Sequence, residues 1–423
     1  MTVARASVFA PFSVRSFRFQ WPADLFASWA FEMEVLILGW YVLVESDSVL
    51  LLVVFGALQY VGSIVSPLFG VAGDRIGYRR LFLITRGIYA VLAILLGLFS
   101  ALGVMSPIIV LIIAGISGMI KPSDTVLRFA LIAHTLPSQQ LIGALGLSRV
   151  TTDSARITGA LTGVGVVAAF GFVPAYIVVT ILYLISVILV LGIDPMPVAG
   201  EQSAQKIPSL KKPTPYHDLV EAFKYVWKMP ELLATFSLAF LVNVLAYPLY
   251  LGLLPLVAKN IYEIGQAGLG VLGAAYALGS LIGSLVISTN RITMGPARLM
   301  LVSGLLWFVV DIVFAQTTVM TIGLVLLFAG GLSQSMCLTP LAGVMLRCAD
   351  PALRGRVMGM RMLAIWGLPT GLMLSGPLIT RYGFASTATF YSVLGLLLTL
   401  AITLRWKSLL WNHDAEANHN AQK

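Results

Sequence analysis

Gly70-Val71-Ala72-Gly73-Asp74-Arg75-Ile76-Gly77-Tyr78-Arg79-Arg80 separates two long apolar runs, one ending near Phe69 and the next beginning near Leu81. Four of these residues are charged: Asp74, Arg75, Arg79 and Arg80. Two helices joined by so short a turn must be antiparallel neighbours. Its three arginines put the turn in the cytoplasm, because basic loops are retained on that side of a membrane. Gly73 and Gly77 permit close backbone approach and positive φ. Asp74 stands where a carboxylate can cap a helix N-terminus or pair with an arginine.

Outward from this turn the same pattern repeats. Of 423 residues 58% are hydrophobic and 11% charged, and the mean hydropathy is +0.93. Soluble domains carry about 25% charged residues, so a water-soluble core is excluded. The net charge of +9 does not point to nucleic acid, because most basic residues flank apolar runs and so set topology. Runs of the ~20 residues needed to cross a bilayer are predicted at 20–44, 49–70, 80–102, 105–133, 140–167, 172–193, 231–257, 266–288, 297–316, 318–346, 354–379 and 384–406.

Arg5, Arg15 and Arg18 precede the first span, and Lys206, Lys211, Lys212, Lys224 and Lys228 fill the one long polar stretch. Arg291, Arg298, Arg347, Arg354, Arg356, Arg405 and Lys407 fall on the same side. Glu45, Asp47, Lys259, Glu263 and Arg381 lie opposite, with little positive excess. Both termini are therefore expected in the cytoplasm. The polar stretch divides the chain into 1–193, a linker 194–230 and 231–423. Five prolines make the start of the linker irregular, and a short amphipathic surface helix is expected over 216–228. Cys337 and Cys348 have neither metal nor redox spacing. No short apolar leader with a small-residue cleavage site precedes the first span.

The pattern Gly-x-x-x-Asp-Arg-x-Gly-x-Arg-Arg between the second and third spans resembles the signature loop of the major facilitator superfamily. The resemblance implies an all-α membrane protein of twelve transmembrane helices in two pseudo-symmetric six-helix bundles. It also implies a gate latch formed by Gly70, Asp74, Arg75, Gly77, Arg79 and Arg80. Tyr78 departs from the pattern, since a basic residue is frequent there. Ser288–Arg298 occupies the matching place in the second half and looks like a decayed copy without the Asp. Gly159-Ala160-Leu161-Thr162-Gly163 is similar to the Gly-Pro-x-x-Gly element of exporters, with Ala160 in place of proline. Pro351–Pro377 looks like the enterobactin-exporter and macrolide-efflux branch.

Ionisable residues inside spans are costly, so each is a functional candidate. Span one carries Asp24, Glu32 and Glu34; span four, Lys121, Asp124 and Arg128; span five, Arg149, Asp153 and Arg156. The last two trios each share one helix face, which cannot look at lipid. At about 1.5 Å per residue, Asp124 and Arg149 fall at similar depth, as do Lys121 and Asp153, so these opposite charges are expected to pair. Glu32 and Glu34 point about 200° apart, so one faces a cavity; Glu32 is favoured, with Arg156 as partner. Asp24 is placed near the cytoplasmic mouth, solvated or capping. Asp311 is a lone carboxyl in span nine, a span that is usually scaffold in the family.

Because the corresponding helices face the central cavity in the family, Asn243, Tyr247, Gln334 and Trp366 are cavity candidates. Trp21, Trp40 and Trp406 read as interfacial anchors. The resemblance implies a secondary transporter of the bacterial cytoplasmic (inner) membrane, working as a monomer by alternating access. It would export a small amphipathic organic molecule, siderophore or drug-like, in exchange for protons. The rival expectations are uptake by the same fold, or a membrane sensor or assembly factor without turnover. No nucleotide loop, metal cluster or nucleophile motif is found, so neither cofactor, metal nor enzymatic activity is expected.

Overall fold

In hydrocarbon a chain must satisfy its own backbone hydrogen bonds, which leaves helices or closed barrels. This chain is all-α: the computed structural model contains helices and no strand among the described residues. Those residues are 10–63, 72, 73, 76–137, 140–194, 223–288, 292, 294–348 and 363–422. The helices are α1 (Arg15–Ser46), α2 (Val49–Leu58), α3 (Tyr78–Ala101), α4 (Pro107–Thr135), α5 (Leu141–Phe170) and α6 (Phe172–Leu191). After the linker come α7 (Pro230–Leu245), α8 (Tyr247–Leu251), α9 (Leu254–Asn260), α10 (Gln266–Ser288), α11 (Pro296–Ala315), α12 (Met320–Cys348), α13 (Gly367–Tyr382) and α14 (Phe384–Gln422).

Eight helices among the described residues are long and apolar enough to span a membrane. Two shorter apolar ones, Val49–Ser63 and Pro230–Leu245, join α5 and α13 at the remaining span positions. The chain forms two compact units: residues 1–51, 58–207 and 264–274 make one, and residues 52–57, 208–263 and 275–423 the other. In the first, α1 packs on α5 and α6, and α3 on α6 and α4. In the second, α11 packs on α12 and α14, and α7 on α13 and α14.

One glycine reverses the chain at the same place in each half. Gly171, with φ +86°, joins α5 to α6, and Gly383, with φ +81°, joins α13 to α14. Only glycine adopts that backbone without strain, and each is followed at once by a phenylalanine that starts the next helix. This shared punctuation is the local signature of an internal repeat.

Three spans differ from expectation. α1 begins at Arg15 rather than at residue 20. In the second span α2 ends at Leu58 and a tight turn follows at Val61–Ser63; its residues 64–70 lie outside the described residues. Gly62 sits against the Met119 backbone and Gly118 against that of Leu58, so two missing side chains let this turn press onto α4. The seventh span, expected as continuous over 231–257, is cut into α7, α8 and α9. Pro248 and Pro255 lack the amide that would continue the ladder and crowd the carbonyl four residues back; Gly252 lies between them. Of the linker, residues 223–228 are helical, while 195–222 lie outside the described residues. So do Gly70, Asp74 and Arg75, and the whole segment 349–362.

Candidate functional site: a buried ion network in the first unit

Asp24 on α1, Arg86 on α3 and Asp124 and Arg128 on α4 converge in the first unit. Arg86 Nη2 lies 3.0 Å from Asp24 Oδ1 and 3.0 Å from Asp124 Oδ1. Arg128 Nε is 3.4 Å from Asp24 Oδ1, and its Nη2 3.3 Å from Asp124 Oδ2, one helical turn away. Arg86 is 2% exposed and Asp24 4%. Two carboxylates and two guanidiniums balance to zero, the condition under which charge survives burial. Neutral groups orient the rest: Arg128 Nη2 donates to Ser28 Oγ at 3.1 Å, and Gln20 Nε2 donates to the Arg128 carbonyl at 3.1 Å.

Beside this cluster lies a cavity of about 100 Å³ lined by Glu32, Arg86, Tyr89, Lys121, Asp124 and Arg128, among others. Glu32 Oε1 is 3.7 Å from Arg156 Nε. Their approach is a backbone matter. A side-chain carbon on Gly159 would stand 2.7 Å from Glu32 Cβ, and one on Gly163 2.8 Å from Met33 Cα. These two glycines, four apart, let α5 touch α1. Trp29 adds a donor hydrogen bond from Nε1 to Thr162 Oγ1 at 2.8 Å on the same seam.

Glu34 points elsewhere: it is buried and accepts from the Tyr183 hydroxyl at 3.0 Å. Tyr183 stacks on Tyr89, with ring centroids 5.6 Å apart. The Lys121 ammonium sits 3.3 Å from the centroid of the Phe31 ring, a cation–π contact that leaves it facing the cavity.

Of the expected cross-helix pairs Glu32 with Arg156 forms, whereas Asp124 does not pair with Arg149. Asp124 turns to Arg86 and Arg128. Arg149 pairs with Asp153 on its own helix at 3.1 Å, with the Arg149 side chain 44% exposed. Asp24 is neither solvated nor capping; it is a buried member of the network. Sequence reasoning missed Arg86, Tyr89 and Tyr183. Arg86 carried a usable signal, being a charge inside a predicted span, but its nearness to the basic turn let it pass as flanking.

In the second unit the cavity candidates are largely occupied with one another. Asn243 Nδ2 donates to the Ala239 carbonyl of its own helix at 2.8 Å. Gln334 Nε2 donates to the Tyr247 hydroxyl at 2.6 Å, and Tyr247 meets Trp307 edge-on at 5.2 Å between centroids. Trp366 is half-buried at the start of α13. Asp311 is fully buried, and the Tyr250 hydroxyl donates to it; Tyr250 stacks on Tyr276 at 4.2 Å. Among the described residues no group of three or more metal-ligating side chains gathers.

Residues 25–289 match the family model described as Major Facilitator Superfamily. The chain belongs to that superfamily. No curated protein sequence matches this major facilitator chain, but solved structures do. The nucleoside transporter NupG superposes with a TM-score of 0.68 at 16% identity, covering 92% of this chain and 98% of NupG. A POT family transporter in complex with 5-aminolevulinic acid gives 0.73 at 14% identity over 96% and 99%. A D-xylose-proton symporter gives 0.70 at 12% over 92% and 97%. At these identities the likeness shows the shared fold.

The described part of the superfamily loop makes three local contacts. Gly77, at φ +95°, takes a backbone reserved for glycine and donates its amide to the Gly73 carbonyl at 2.9 Å. The Tyr78 ring lies against Gly73, where a side chain would collide with it. Arg79 Nη2 donates to the Leu191 carbonyl at 2.6 Å, capping the C-terminal end of α6. Arg80 is exposed.

Proposed function

We propose that this member is a secondary active transporter that exports a small amphipathic organic compound, siderophore or drug-like, in exchange for protons across a bacterial inner membrane. Its halves, 1–193 and 231–423, alternate access across the 194–230 linker, with both termini cytoplasmic and the monomer as the working unit. The observation that carries this reading is the small polar cavity with Glu32 beside Arg156. At about 30 Å³ per water, a cavity of about 100 Å³ has room for a few waters. Drug-sized ligands need about 300–1,000 Å³. The ion network therefore suits a coupling proton and is too small to seat the substrate. Glu32 is the proton carrier in this reading, with Arg156 as its partner cation.

The test is transport of candidate siderophores and amphipathic drugs in proteoliposomes, with and without an imposed pH gradient. Glu32→Gln should abolish the response to the gradient, and Glu34→Gln should weaken it. Unchanged pH-dependent transport in the double variant removes both from the mechanism. Asp74→Asn, in the proposed latch, should slow turnover while leaving substrate binding within about twofold; full turnover would refute the latch. Uptake is a second reading, favoured by Ala160 in place of the exporter proline. Substrate moving inward with protons in the same assay would establish it.

A further inference from the structure

A second cavity lies apart from the ion network. It is an apolar groove of about 480 Å³ in the second unit, bounded by the linker helix 223–228, the first turns of α7 and the α14 segment 398–406. Phe223 and Trp227, one turn apart on the linker helix, stack with centroids 5.7 Å apart and are 49% and 65% exposed. Val226, 3% exposed, pins that helix to the bundle. Such an aromatic face is costly in water and at home at a bilayer interface.

Polarity along the groove is graded. Arg405 lines its mouth. Lys224 and Lys228 stand exposed on the linker helix and Lys407 on α14, while Glu231 is in the first turn of α7, so the charge around the mouth is net positive. Its floor runs inward along both helices. Phe240 is ten residues beyond Pro230, and Leu398 seven before Arg405, so the apolar part reaches about 10–15 Å below the charges. A cationic rim over an apolar trough of that depth is complementary to one molecule abundant at this level: a phospholipid with net negative charge.

We propose that this groove is a binding site for an anionic phospholipid. One acyl chain lies between α7 and α14 against Phe236, Phe240 and Leu398, and the phosphate sits at Arg405 and Lys228. The guanidinium fork of Arg405 matches phosphate oxygens in pairs, and the neighbouring lysines select net charge. By bridging the linker helix to α7 and α14, the lipid tethers the end of the linker to the second unit.

The experiment is native mass spectrometry of the full chain released from nanodiscs of equal dioleoylphosphatidylglycerol and dioleoylphosphatidylcholine. The wild type should retain phosphatidylglycerol preferentially. Each basic residue near an anionic headgroup is worth about fivefold, so Arg405→Gln should cut that preference about fivefold and Arg405→Gln with Lys228→Gln about 25-fold. Ser237→Phe, which fills the trough, should reduce retention of both lipids. Thermal melting of each variant separates lost lipid from lost fold, and Arg405 and Lys228 are exposed enough to replace without unfolding. Equal retention of the two lipids by the wild type overturns the proposal. So does undiminished phosphatidylglycerol on a folded Ser237→Phe protein, or cross-linking that finds linker residues 195–222 lying in the trough.

Discussion

Asp24 and Asp124 of the first unit stand between two arginines, whereas Asp311 of the second accepts, among the described residues, from one tyrosine hydroxyl. Both arrangements keep carboxyls out of lipid, by different physics. In the first unit charge is retained and cancelled, which demands partners on three helices at distances of 3.0–3.4 Å. In the second a neutral donor serves one carboxyl oxygen, Oδ1, while Oδ2 has no hydrogen-bond partner among the described residues, and the neighbours are aromatic rings. A matched set of ions can be rearranged by adding or removing one proton, because every member feels the change. A carboxyl packed among rings has no such leverage, and it reads as scaffold.

The hardest test of this contrast is Arg86→Met. It leaves Asp24 and Asp124 facing each other with Arg128 alone to serve both. Breaking a buried pair from one side costs about 3–5 kcal/mol, so the variant should melt far below the wild type in detergent. Arg86→Met combined with Asp24→Leu should recover much of the loss. A silent Arg86→Met would mean that the network does not hold charge as described.

Asp311 supplies the intermediate case. Asp311→Asn keeps an acceptor for Tyr250 and should cost less than about 1 kcal/mol, whereas Asp311→Leu strands a buried hydroxyl at about 1–3 kcal/mol. If the two substitutions melt alike, the hydroxyl contact is not what stabilises this site. At the small end, Arg149 is 44% exposed although its partner Asp153 is buried. Water screens the guanidinium but not the carboxylate, so Arg149→Gln should cost more than the ~0.5 kcal/mol of a pair exposed on both sides and well below the ~3–5 kcal/mol of a fully buried one, read as a small fall in melting point.

Much of this contrast was legible beforehand. Hydropathy alone marks the spans, and the loop around Asp74 points to the fold. The charges on spans one, four and five were visible as candidates, as was Glu32 with Arg156. Their pairing was not. Periodicity assigns residues to a face of their own helix but leaves open which neighbouring helix that face meets. Depth errors compounded this: starting α1 at Arg15 instead of residue 20 moves Asp24 about 7 Å further from the helix start. That is enough to turn an apparent mouth residue into a buried one. Arg86 was overlooked for another reason, its nearness to the basic turn. The cuts at Ala246 and Gly252 were readable from Pro248 and Pro255, but hydropathy averages across a break and does not register it.

Those cuts have a mechanical consequence. Within α8, a plate of five residues, Tyr247 is fastened to Gln334 of α12 and Tyr250 to Asp311 of α11. Bending of the seventh span is taken up at the two joints on either side of the plate. The plate is held to α12 and α11 through its two tyrosines, which leaves the joints to α7 and α9 as the places where the span can bend.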